Sequence, residues 1–259
     1  MTGGADTSMT DDVSAIALET RGLTVAFGGL RAVDNVDVRI AKGGITSIIG
    51  PNGAGKSTFF NLVSGAIRPT AGQIWLEGRD VTGLAPYRLS AAGLARSFQI
   101  TNLLAESTVF ENLRVAAQVL EPWHLGLLPI ARSRRAEAKA EELIERFGLA
   151  AKATERAGHL SHGEQRRLEI AVALASEPRI LMLDEPTQGM SHTDTAEASA
   201  LVRRLGEDMT VILIEHDIEL VMDLSHTVVV LHQGRKLAEG TPAAVRANPE
   251  VQTAYFGGH

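Results

Sequence analysis

One short stretch, GPNGAGKST from Gly50 to Thr58, constrains the fold of this chain more than any other. It fits G-x-x-x-x-G-K-[ST] and lies between an apolar run, ITSIIG, and a segment with helical spacing, STFFNLVSGA. Glycines let the backbone curl without Cβ clashes, so several amides can point inward at one anion. In such a loop Asn52, Gly53, Ala54, Gly55, Lys56, Ser57 and Thr58 line a phosphate cradle. Lys56 reaches the outer phosphates, the Ser57 hydroxyl can ligate Mg²⁺, and the following helix turns its positive end toward the charge. A strand, a glycine loop and a helix in this order demand an α/β core.

The rest of the chain agrees with such a core. From Ile16 to Leu76 short apolar stretches alternate with glycine turns, as in strands and hairpins. From Leu84 to about Leu160 the texture is helical. In SRRAEAKAEELIERFG, Ala136, Ala140, Leu143, Ile144 and Phe147 recur at helical spacing, and Gly148 can close the helix. From Pro178 onward RILMLDE, TVILIEH and TVVVLHQG are nearly continuous apolar runs, as buried parallel strands are. HTDTAEASALVRRL and DIELVMDL supply helices between them.

Three strand ends carry candidate chemistry. ILMLDEP delivers Asp184 to the carboxyl end of the sheet, where it can hold Mg²⁺ through water. Glu185, next in line, is placed to polarise an attacking water. VILIEHD ends with His216, which can donate to a γ-phosphate. Gln99, in ARSFQ, can bridge water or metal to the same phosphate. A second anion-seeking feature lies far from the glycine loop. In LSHGEQRRLEI, Ser161 and Glu164 form a capping box, and Gly163 keeps the first helical turn open.

Composition narrows the alternatives. The 259 residues include no cysteine, so disulfides, thiolate metal sites and thiol chemistry are excluded. A net charge of −6 speaks against nucleic acid as the partner. No apolar run approaches the roughly 18 residues that suggest a bilayer span, so any membrane role is peripheral and runs through partners. MTGGADTSMTDDVSA is polar and acidic, unlike a secretory signal, and reads as a flexible tail over residues 1–15.

Taken together, GPNGAGKST, ARSFQ, LSHGE, ILMLDE and IEHD, in this order, resemble the five motifs of an ATP-binding-cassette (ABC) ATPase. The resemblance covers residues 16–259. It implies a P-loop NTPase α/β core of RecA type, an N-terminal antiparallel β subdomain and a helical signature subdomain at about 97–177. It implies ATP and Mg²⁺ as ligands, with Glu185, His216 and Gln99 catalytic and with Ser57, Gln99 and Asp184 around the metal. Two cassettes of this family pair head to tail, so Ser161, Gly163 and Glu164 would cap the γ-phosphate held by a partner cassette. Phe27 aligns with the aromatic residue that stacks on adenine; a core strand phenylalanine is the competing reading.

Two departures stand out. The usual LSGGQ is LSHGE, which brings a negative charge near phosphate unless His162, Arg166 or Arg167 neutralises it. TQGMS ends in Ser191 where many relatives carry an aspartate. FGGLRAV, GLARSFQ, IEHDIELVM and LAEGTPAAVRANPEVQTAYFG are similar to importer ATPases for branched-chain amino acids and related amide- or urea-type solutes. That branch implies two membrane permease subunits, a second ABC ATPase, a solute-binding protein and a place on the cytoplasmic face of the plasma membrane. ITNLLAESTVFENL would then form the groove for a membrane-subunit helix, and EPWHLGLLPIARSRR would touch lipid headgroups, the permease or only its own surface. A non-transport ABC ATPase with soluble partners, a nucleotide switch and a simple P-loop kinase are the alternatives.

Overall fold

The computed structural model describes residues 15–97, 103–121 and 133–256. Strands β1 (Ile16–Phe27) and β2 (Leu30–Ala41) form a long antiparallel hairpin. Along β2, Val36, Val38 and Ile40 are buried while Asn35, Asp37 and Arg39 face water, the period-two pattern of a strand with one wet side. β3 (Ile45–Ile49) is wholly buried and leads through the glycine loop into α1 (Lys56–Val63). The chain returns to the hairpin with β4 (Ala71–Leu76) and β5 (Arg79–Asp80). The first sheet has the order β2-β1-β4-β5 and is antiparallel throughout.

After α2 (Pro86–Ala91) and β6 (Leu94–Arg96) comes a helical stretch: α3 (Val109–Ala117), α4 (Arg134–Arg146) and α5 (His162–Leu174). On α4, Ala136, Ala140, Leu143 and Ile144 are buried, and Phe147 at its C-cap with them, the face expected from the spacing. Strands and helices then alternate: β7 (Ile180–Asp184), α6 (His192–Asp208), β8 (Thr210–Ile214), α7 (Ile218–Leu224), β9 (Thr227–His232). β10 (Arg235–Gly240), α8 (Pro242–Ala247) and α9 (Pro249–Phe256) follow.

The second sheet has the order β10-β9-β3-β8-β7-β6 and is parallel except for the edge strand β10. Alternate residues of each central strand serve different cores. Ile180 and Met182 of β7, with Ile212 and Ile214 of β8, pack toward α1 and the antiparallel sheet. Leu181, Leu183, Val211 and Leu213 pack the other way, against α3 to α6. Both faces are covered, which is why these runs read as continuously apolar. β3, β7 and β8 thus end side by side, and their carboxyl ends carry the motifs. Among the described residues no helix is long and apolar enough to cross a membrane.

Candidate functional site

The carboxyl ends of β3, β7 and β8 open on a cleft of about 540 Å³. Its lining comprises Leu30 to Ala32, Asn52 to Thr58, Glu185, His216, Gln233 and Gly234. Asn52, Gly53, Ala54, Gly55, Lys56, Ser57 and Thr58 are therefore brought together as the glycine loop predicts. Gly55 has φ of +100°, and a Cβ there would lie 2.4 Å from the Ala32 carbonyl oxygen. Only glycine lets the loop press against β2 in this way. Gly55 is also the N-cap of α1, and no side chain caps that helix. Its first amides are thus left to an anion.

Lys56 is 6% exposed, and its ammonium donates to the carbonyls of Gly50 (2.6 Å) and Pro51 (3.1 Å). Burial pushes its pKa down, while the carboxylates of Glu185 and Asp184 pull it back up. The ammonium is thus held over the loop with two acids nearby. Ser57 is exposed on the first turn of α1. Phe27 ends β1 at 54% exposure and pairs with Leu30 of the cleft wall. A core role for Phe27 is excluded, and it stands beside the cleft lining without being part of it.

Asp184 is 1% exposed. Its Oδ2 accepts from Arg96 Nη2 at 2.7 Å, while its Oδ1 is buried with no partner. The described residues hold no cluster of three or more His, Asp or Glu able to cage a metal. Ser57 and the orphaned Asp184 oxygen fit a Mg²⁺ that brings phosphate and water as its other ligands.

Glu185 adopts φ of +50°, a left-handed conformation that costs a non-glycine residue roughly 1–3 kcal/mol and concentrates at functional sites. It is held there by its amide, which donates to the Ile214 carbonyl at 2.9 Å. Its Oε1 lies 2.7 Å from His216 Nε2. His216 is itself fixed by Glu215, which accepts from the His216 amide and from both the amide and hydroxyl of Thr187. Burial raises the Glu215 pKa against those hydrogen bonds, with Glu185 adding to the rise. Gln99 lies outside the described residues.

The signature segment forms the expected capping box. The Ser161 hydroxyl accepts from the Glu164 amide at 3.3 Å, and Glu164 Oε2 accepts from the Ser161 amide at 2.8 Å. That backbone hydrogen bond, with Lys152 and Arg167 contributing, lowers the Glu164 pKa. Of the three candidate neutralisers, Arg166 is not available. It turns inward, donating to the carbonyls of Asp184 (2.8 Å) and Pro186 (3.3 Å) and pairing with Glu169. His162 faces the Gln188 carbonyl at 3.4 Å. The space beside Gly163 is less open than the sequence suggests, since a Cβ there would lie 3.0 Å from Asp194 Oδ1. Ser161, Gly163 and Glu164 do not line the cleft that holds Lys56. Ser191 caps α6, accepting from the Asp194 amide.

Arg96, Thr187 and Glu215 are site-building residues that the sequence did not disclose, and Arg166 is one whose partners it did not disclose. Glu215 has a local signal, being an acid at the end of an apolar strand. The arginines have none, because only the sheet order brings β6 and α5 against Asp184.

A glycine loop opening an uncapped helix, with an acid pair and a histidine on adjacent strand ends, is the arrangement of a P-loop nucleotide-phosphate site. A family model described as "ABC transporter" matches residues 33–188, and one described as "Branched-chain amino acid ATP-binding cassette transporter" matches residues 235–259. The chain belongs to the ABC transporter ATP-binding proteins, a family characterised by ATP hydrolysis. It is 43% identical over 248 residues to the high-affinity branched-chain amino acid transport ATP-binding protein BraF of Pseudomonas aeruginosa, covering 93% of this chain and 97% of that one. LivG of Escherichia coli, with the same description, shows the same identity and coverage. The ADP conformation of an ATP-binding cassette from an ABC transporter superposes with a TM-score of 0.84 at 30% identity, over 93% of this chain and 99% of that one.

Proposed function

We propose that this chain hydrolyses ATP to drive uptake of a small solute, a branched-chain amino acid or a related amide- or urea-type compound. The observation that carries the catalytic part is the Glu185–His216 contact of 2.7 Å at the rim of the glycine-loop cleft. Glu185 takes the proton of a water as its oxygen attacks the γ-phosphorus and the bond to the bridging β–γ oxygen breaks. His216 keeps the carboxylate aimed, and Lys56 with the loop amides offsets charge on the phosphates. Ser57 and Asp184 hold Mg²⁺, which, when bound, neutralises phosphate charge. Gln99 completes the set.

The placement of Ser161, Gly163 and Glu164 away from the cleft supports their use on the ATP of a partner cassette. Each chain then carries two half-sites, and a second ABC ATPase is required for turnover. Residues 16–259 act as one ATPase domain, with about 97–177 as its helical subdomain. Residues 1–14 of the N-terminal tail lie outside the described residues. Membrane permease subunits dock on the segment ITNLLAESTVFENL, whose residues 100–102 lie outside the described ones and whose Leu103 lines a hollow of about 420 Å³ beside β6. Its apolar wall and the 43% identity to BraF and LivG support the transport reading. That docking places the chain at the cytoplasmic face of the membrane, served from outside by a solute-binding protein.

Glu185→Gln tests the chemistry. It should lower turnover roughly 100- to 10,000-fold, the usual worth of a general base, and leave ATP affinity near that of the parent. Lys56→Ala should instead abolish ATP binding. Undiminished hydrolysis by Glu185→Gln would remove Glu185 from the reaction.

A further inference from the structure

Arg96 is the last residue of β6, beside β7 in parallel register. Its guanidinium is 11% exposed and makes three directed contacts. Nη1 donates to Asn61 Oδ1 (2.7 Å) and to Ser64 Oγ (2.9 Å), and Nη2 donates to Asp184 Oδ2 (2.7 Å). Its Cζ also lies 5.7 Å from the Phe60 ring centre. Asn61 and Phe60 belong to α1, the helix that carries Lys56 and Ser57, and Ser64 is its C-cap. Asp184 belongs to β7. One side chain therefore ties together the two elements that share the proposed cation site.

A guanidinium suits this work because its rigid fork can satisfy acceptors on two elements at once in a fixed geometry, which an ammonium on a flexible stem does not impose. By engaging Oδ2 it leaves the other oxygen, Oδ1, buried and unpartnered. We infer that Arg96 is a positioning residue: it locks the Asp184 carboxylate to α1, so that Oδ1 and the Ser57 hydroxyl are presented to Mg²⁺ at a fixed separation. This rests on the assignment of Asp184 and Ser57 to the cation.

The test measures the affinity of the purified chain for a fluorescent ATP analogue, in EDTA and across a Mg²⁺ titration, with thermal melting as the check on folding. Arg96→Gln should raise the half-saturating Mg²⁺ by about 10-fold or more, as losses of residues that orient a metal ligand do, with affinity in EDTA unchanged. Arg96→Lys, which keeps the charge and loses the fork, should recover only part of the shift. The double change Asn61→Ala with Ser64→Ala, which keeps the Asp184 pair and cuts the tie to α1, should shift Mg²⁺ dependence in the same direction. An unchanged Mg²⁺ requirement in folded Arg96→Gln overturns the inference, and so does a lowered one, which would make Arg96 a competitor of the cation. Asp184→Asn separates the two failures. If it shifts the Mg²⁺ dependence and Arg96→Gln does not, only the positioning role falls; if neither shifts, the cation assignment of Asp184 falls too.

Discussion

At the scale of single residues, the acid next to Asp184 is held in a conformation that most side chains avoid. Glu185 sits at φ of +50°, and His216 and the Ile214 carbonyl keep it there. Glu215, 5% exposed, anchors that arrangement from below. Burial lifts its pKa above the ordinary 4.5. Between the ordinary and the raised value the folded chain binds a proton that the unfolded chain has released, so stability falls as pH rises through that window. Glu215→Gln should remove this decline, which denaturant melts across the acid range would register. A decline of the same size in the variant would place its origin elsewhere. The identities of Lys56, Asp184, Glu185 and His216 were legible because each closes a recognisable strand or loop. The left-handed turn at Glu185 and the hold of Glu215 on Thr187 were not, because they depend on backbone geometry and on loops that meet only in the fold.

Among the elements, α5 is legible at its start and not along its length. The capping box of Ser161 and Glu164 involves neighbours three residues apart, and so it was legible. The inward faces of Arg166 and Glu169 were not, since buried charged residues blur the apolar stripe that marks a packed helix. Arg166 is spent on the Asp184 and Pro186 carbonyls, which leaves Glu164 with Lys152 and Arg167 as its compensating charges. Glu164→Gln keeps the box, because glutamine also fits the N3 position. It should change stability by less than about 1 kcal/mol, the ordinary worth of a charge at a helix start. It should also strengthen ATP-driven pairing with a partner cassette, measured by light scattering on the Glu185→Gln background. Weaker pairing would mean that the Glu164 charge assists the contact. By contrast α4 was legible throughout, because one face is apolar and the other wet.

On the scale of the whole molecule, the order of strands gathers the chemistry. β3 lies between β8 and β9, so the glycine loop, Glu185 and His216 meet although they are spread along the chain. The antiparallel sheet closes one side of the cleft with Leu30 to Ala32. At the far end, the Gly50 amide donates to the Tyr255 hydroxyl of α9, and burial raises the pKa of that hydroxyl to about 12. The segment matched by the second family model thus reaches the first residue of the glycine loop. The α/β alternation, the buried parallel strands and the helical insert were readable from periodicity. The strand order and the two-sided division of the cores were not, since apolar runs carry no record of their neighbours.

The proposed role of this chain is to supply ATP hydrolysis to a membrane transporter. The most direct measurement is affinity isolation of the tagged chain from gently solubilised native membranes, followed by mass spectrometry and ATPase assay of the complex. The predicted result is two polytopic membrane proteins and a second cassette, with turnover that Glu185→Gln lowers roughly 100-fold or more. Recovery of soluble partners alone would contradict the transport assignment, and hydrolysis undiminished in Glu185→Gln would contradict the site.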